Sequence, residues 1–139
     1  MKKKAVVEMC CGIGSECMAA NLILSHGYKG YLFDGNENDS QIAKSFFNQK
    51  KDCSCVQPRI TLAWITKNNV NELLRDSGVT GEVDLLSYND YYIWEAISEI
   101  NPRLCVFETH DIIPGNLERI RFNPARIQLR RSSWHIRWA

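Results

Sequence analysis

No stretch of this chain approaches the roughly 18 consecutive apolar residues of a membrane span, and charge of neither sign dominates it. Seventeen Lys and Arg stand against sixteen Asp and Glu in 139 residues, a net charge of +1. That balance excludes a strongly polybasic protein, though not a local basic patch. Familiar catalytic strings are missing as well. There is no G-x-S-x-G nucleophile turn, no H-E-x-x-H zinc helix, no calcium loop and no Gly-Lys-Ser/Thr phosphate loop. A serine or cysteine hydrolase therefore has no positive support. Neither internal repeats nor low-complexity segments are present. The six cysteines are not spaced like a small secreted disulfide framework, and Cys53-Ser54-Cys55 lacks the second close pair of a structural zinc site. No metal is expected, and Cys105 reads as a reduced core thiol.

What is present is the composition of one globular domain, with 45% hydrophobic and 24% charged residues. Met1-Lys2-Lys3-Lys4 is basic, but Glu8 ends the short apolar run behind it. A strand is the better reading there than a secretion signal, so the expected location is cytoplasmic, with no membrane partner.

Apolar runs of strand length alternate with segments of helical period. Strands are expected at Ala5–Met9, Gly30–Asp34, residues 59–63, Glu82–Ser87 and Arg103–Glu108. Helices are expected from Ser15 to His26, from a cap at Asn38, Asp39 or Ser40 to Asn48, from Asn68 or Asn69 to Gly78, and from Tyr91 to Ile100, where Asn101-Pro102 should stop the last one. Five strands alternating with four helices predict an α/β fold, a Rossmann-like parallel sheet flanked by helices through right-handed crossovers. The pattern changes after Glu108. Residues 1–117 are expected to form the domain, and residues 118–139 an arginine-rich C-terminal tail with Trp134 and Trp138. Arginine can pair with phosphate and tryptophan can stack on bases, but a docked or frayed tail is the plainer reading, and nucleic acid is not an expected partner.

The strongest local constellation is Glu8-Met9-Cys10-Cys11-Gly12-Ile13-Gly14-Ser15-Glu16. A strand runs into a glycine turn and a helix follows, so backbone amides can approach a ligand closely. The second strand ends at Asp34, 22 residues after Gly12. An acid at that separation accepts from ribose hydroxyls in dinucleotide folds. The turn is not a full G-x-G-x-x-G, because Cys17 stands at the third position. A plain tight turn, a dehydrogenase-like nucleotide site and an adenosine-type site all remain open from this segment. Asp90, just past the fourth strand, and His110, just past the fifth, stand where open α/β sheets place their sites.

In the order of its motifs the chain resembles S-adenosylmethionine-dependent methyltransferase-like proteins, loosely related to the sugar-O-methyltransferase group. The likeness runs from about Ala5 to Glu108. It is carried by Glu8, Gly12, Gly14, Glu16-Cys17, Asn21-Leu22-Ile23, Gly27-Tyr28-Lys29-Gly30, Asp34-Gly35-Asn36, Asn69-Val70-Asn71-Glu72-Leu73-Leu74, Asp84-Leu85-Leu86-Ser87, Asn89-Asp90-Tyr91, Trp94 and Asn101-Pro102-Arg103. The resemblance implies S-adenosyl-L-methionine as cofactor and methyl transfer to an oxygen or nitrogen of a small-molecule or glycan acceptor. It implies that Glu8, Gly12 and Gly14 border the methionine part, Asp34 holds the ribose, Trp64 and Ile65 flank adenine, and Asp84 faces the donor methyl. Asp90 and His110 are then the candidates to take the acceptor's proton.

Three departures accompany the likeness. Cys10 stands where the family pattern has its first glycine. The chain passes directly from Ser87 to Tyr88-Asn89-Asp90, without the family's acidic stretch. The usual terminal antiparallel hairpin is not recognisable, so a truncated sheet is expected, with an open edge that would favour homo-oligomers. The alternative function is a catalytically impaired or partial relative that binds a nucleoside or serves structurally.

Overall fold

The computed structural model describes residues 4–50, 56–88 and 91–107. Five strands and four helices alternate along them: β1 (Ala5–Met9), α1 (Ala20–His26), β2 (Lys29–Asp34), α2 (Glu37–Gln49), β3 (Arg59–Leu62), α3 (Val70–Asp76), β4 (Gly81–Tyr88), α4 (Tyr91–Ala96) and β5 (Ile100–Phe107). The strands form one sheet in the order β3-β2-β1-β4-β5, and every neighbouring pair is parallel. This is the expected α/β, Rossmann-like arrangement. From β1 the chain steps to β2 and β3 on one side, then returns to β4 on the other. The order thus reverses between β1 and β4, where open sheets of this class hold ligands beyond the carboxyl ends of their strands.

The apolar runs explain why β1, β2 and β4 lie in the middle. Every residue of β1 is buried, and Val6, Val7, Leu32 and Leu86 are fully enclosed. A central parallel strand is covered on both faces, so it needs a continuous apolar run rather than an alternating one. Ile23, Phe47 and Leu74 bring the inner faces of α1, α2 and α3 into this core.

Several boundaries differ from the sequence expectation. Helix α1 begins at Ala20 rather than Ser15, and no side chain of its own caps it. Asn36, upstream of the expected caps, holds the start of α2 by accepting from the Asp39 amide at 3.1 Å. Helix α4 ends at Ala96 rather than Ile100. The amides of Ser98 and Glu99 turn instead to the Asn71 side-chain oxygen, at 2.8 and 3.2 Å, while the Asn71 amide donates to the Ala96 carbonyl at 2.8 Å. Asn101-Pro102 therefore lies inside β5 instead of ending a helix, with Pro102 opposite Val83. Among the described strands β5 is an edge, where a residue without an N–H is tolerated.

No helix among the described residues is long and apolar enough to cross a membrane. The expected domain boundary at residue 117, the tail at 118–139, the Cys53–Cys55 pair, Asp90 and His110 lie outside the described residues.

Candidate functional site

Parallel pairing brings the carboxyl ends of β1, β2 and β3 side by side, and three loops leave from that edge. Asp34, the last residue of β2, is the centre of the arrangement. One carboxylate oxygen accepts from the Gly12 amide at 2.8 Å, and the other accepts from the Asn36 amide at 2.8 Å. Each carboxylate oxygen has room for about two hydrogen bonds. Asp34 therefore ties the turn after β1 to the loop after β2 and keeps an acceptor position on each oxygen.

The turn itself is built by three unusual backbones. Gly12 and Gly14 both have positive φ, at 59° and 88°. A side chain added at Gly12 would meet nothing within 4 Å, so the Cys10 side chain does not fill the space on that side of the glycine. Gly14 is different. A Cβ there would come within 3.1 Å of the Ala43 backbone and 3.3 Å of the Phe46 ring, so this glycine lets the turn pack against α2. Cys10, at the start of the turn, takes φ 65° and is the one non-glycine with positive φ among the described residues. The cysteine thus adopts a glycine conformation, at a cost of roughly 1–2 kcal/mol, and its side chain stays exposed.

Glu8 occupies a place the sequence did not foretell. It is 95% buried, and its two oxygens accept from the amides of Met18 at 3.1 Å and Ala19 at 2.8 Å. The charge of the same carboxylate helps to raise the buried Cys17 thiol. Glu8 thus anchors the two residues that lead into α1. Two amides just before the first helix are filled by the protein's own carboxylate.

Trp64 stands beside Asp34. The Ala63 amide donates to the Asp34 carbonyl at 2.9 Å, which carries the chain past the end of β3. Asn69 fixes the loop, donating to the Trp64 carbonyl at 2.9 Å and accepting from the Thr66 amide at 2.7 Å. The benzo edge of the Trp64 indole lies on Gly35, where a Cβ would come within 2.6 Å of the ring. The side chain is nevertheless 78% exposed, a large apolar plate open to solvent next to Asp34. Ile65 follows it and is half-buried.

Asp84 does not join this group. The β1–β4 register pairs Val6 with Leu85, so Asp84 lies level with the first residue of β1. Its carboxylate accepts from the Ala5 amide at 3.3 Å and pairs with Arg103 at 3.0 Å. At about 3.3 Å per residue, that end of β1 is some 13 Å from Met9. Of the expected residues, the structure brings Glu8, Gly12, Gly14, Asp34, Trp64 and Ile65 to the carboxyl edge and places Asp84 towards the amino edge. Asn36 and Asn69 are added as the residues that hold Asp34 and Trp64 in place. Both carry a signal in the sequence, since asparagine in a turn before a helix readily accepts a backbone amide.

The thiols of Cys11 and Cys17 lie buried under the turn. Burial, reinforced by the charges of Asp34 and Glu8, pushes the Cys11 thiol up to about 12, and burial together with Glu8 raises Cys17 as well. An unfolded thiol ionises near 9.0. Below that pH both states hold the proton and stability is unaffected by these groups. Above it the unfolded chain loses protons that the folded chain keeps, so stability falls. Urea unfolding is expected to show a loss of about 2–3 kcal/mol per pH unit above pH 9 from this pair, and Cys17→Ala should remove about half of that slope. Equal slopes in the two proteins would contradict the assignment.

Among the described residues no group of three or more His, Cys, Asp or Glu could hold a metal ion. No protein-family model, curated protein or solved structure matches the chain.

Proposed function

We propose that the carboxyl edge of the sheet binds S-adenosyl-L-methionine and that the chain transfers its methyl group to an oxygen or nitrogen acceptor. The carrying observation is the Asp34 carboxylate held by the Gly12 and Asn36 amides, beside a glycine at which an added Cβ would meet nothing within 4 Å. The residues present fit such a ligand. Asp34 keeps two acceptor positions for a ribose diol, Trp64 offers a flat apolar face for the base, and Gly12 leaves room for close approach. Glu8 separates this reading from a dinucleotide. With its carboxylate on the amides of Met18 and Ala19, those donors are not free for a pyrophosphate, and the charge opposes one. The same charge favours a sulfonium.

S-adenosylmethionine supplies an electrophilic methyl carbon bonded to positive sulfur. The chain's part is to hold the nucleoside and to place an acceptor atom in line with that carbon. Asp90, two residues past β4, and His110, three residues past β5, are assigned the removal of the acceptor's proton. A binding protein without catalysis is the second reading. It is favoured by the fact that Glu8 and Asp34, among the described residues, both accept from backbone amides, so neither of them is held ready as a base.

Calorimetric titration tests the site on which both readings rest. Saturable binding of S-adenosylhomocysteine with no binding of NAD is expected. Failure to bind S-adenosylhomocysteine, with circular dichroism reporting an intact fold, would end both readings. Tighter binding of NAD would restore the dinucleotide site.

A further inference from the structure

We propose that Met18 determines which 5′ substituent the nucleoside site admits, an inference that rests on the adenosine-type reading of Asp34 and extends it. The direction of the ligand follows from the order of the strands. Trp64 follows β3, Asp34 ends β2, and β1 and β4 come next. A base on the β3 side and a ribose at Asp34 send the 5′ carbon over the end of β1 towards β4. Neighbouring strands lie about 4.8 Å apart, so β2 and β4 are about 10 Å from one another across β1. That span matches the reach from a ribose diol to a substituent on the 5′ carbon.

Met18 sits in that path. Glu8 pins its backbone amide at 3.1 Å on the β1 side. Its thioether sulfur accepts from the Ser87 hydroxyl at 3.5 Å on the β4 side. Ser87 is paired with Glu8 across the two strands and is buried. The Met18 side chain thus bridges the point where the strand order reverses, while remaining 53% exposed. A ligand that stops at the 5′ hydroxyl leaves this contact in place, and a ligand with a longer tail must turn the side chain aside. The contact is weak and methionine is flexible, so the bridge selects among ligands without sealing the crevice.

The test compares adenosine with S-adenosylhomocysteine by calorimetry on the wild-type chain, Met18→Ala and Ser87→Ala. Met18 is exposed, so its truncation leaves the core untouched. Met18→Ala is expected to tighten S-adenosylhomocysteine about fivefold and to leave adenosine within about twofold. Ser87→Ala frees the thioether without removing it and should act in the same direction by a smaller factor. Unchanged or weaker binding of S-adenosylhomocysteine to Met18→Ala, with adenosine still bound, would overturn the role of Met18 alone. Absence of binding by either nucleoside to any of the three proteins would overturn the site itself, and the role of Met18 with it.

Discussion

Asp34→Ala is expected to weaken S-adenosylhomocysteine binding by at least about a hundredfold while the chain stays folded. Hydrogen bonds to a charged group are worth about 1.5–3 kcal/mol each. Two of them lost from a ribose diol amount to about two powers of ten or more in affinity. The fold should survive, because the amides of Gly12 and Asn36 that the change releases lie on half-buried and exposed residues and can turn to water. A stability loss of about 1–2 kcal/mol is the expected companion. Calorimetry gives the affinity and a urea midpoint gives the stability. A folded Asp34→Ala protein that binds within about threefold of wild type would remove the ribose role from this carboxylate.

Glu8→Ala should have the opposite balance, a large loss of stability. Two donors converge on one buried carboxylate, namely the amides of Met18 and Ala19. Ala19 is itself buried, so water has little access to replace what is lost. Leaving a buried donor without its partner costs about 1–3 kcal/mol, and α1 has no side-chain cap of its own to compensate. A loss of about 3–5 kcal/mol is expected, a large part of the roughly 5–15 kcal/mol that holds a domain together. Glu8→Gln keeps the shape and one acceptor oxygen and should fall in between. Urea unfolding measures all three proteins, and a Glu8→Ala midpoint close to wild type would show that the carboxylate does not anchor the helix.

The parts of this protein that depend on local pattern were legible in its sequence. Continuous apolar runs mark buried parallel strands, and their alternation with helical segments fixes the sheet type. The Gly12–Asp34 pair could be anticipated because successive parallel strands are neighbours here, so the end of one run predicts the place of the next. What was not legible depends on register and on distant partners. Asp84 was put at the working end by the resemblance alone, and the β1–β4 register, which pairs Val6 with Leu85, sets it level with the start of β1 instead. Glu8 looked like a ligand residue, and only the path of the chain after the turn reveals that it meets the start of α1. The early stop of α4 needed Asn71, which lies 27 and 28 positions before the amides it captures. Met18 carries no local signal at all, since its partner Ser87 is 69 positions away.

The contact between Gly14 and Ala43 has a consequence for how a ligand would be received. The glycine turn leans on the backbone of α2, and the first turn of α2 is held by Asn36, whose amide also binds Asp34. Donor, acceptor and helix are thereby linked as one piece. The Gly12 amide and the Asp34 carboxylate keep their spacing before any ligand arrives, so little ordering entropy is spent on assembling them at the moment of binding.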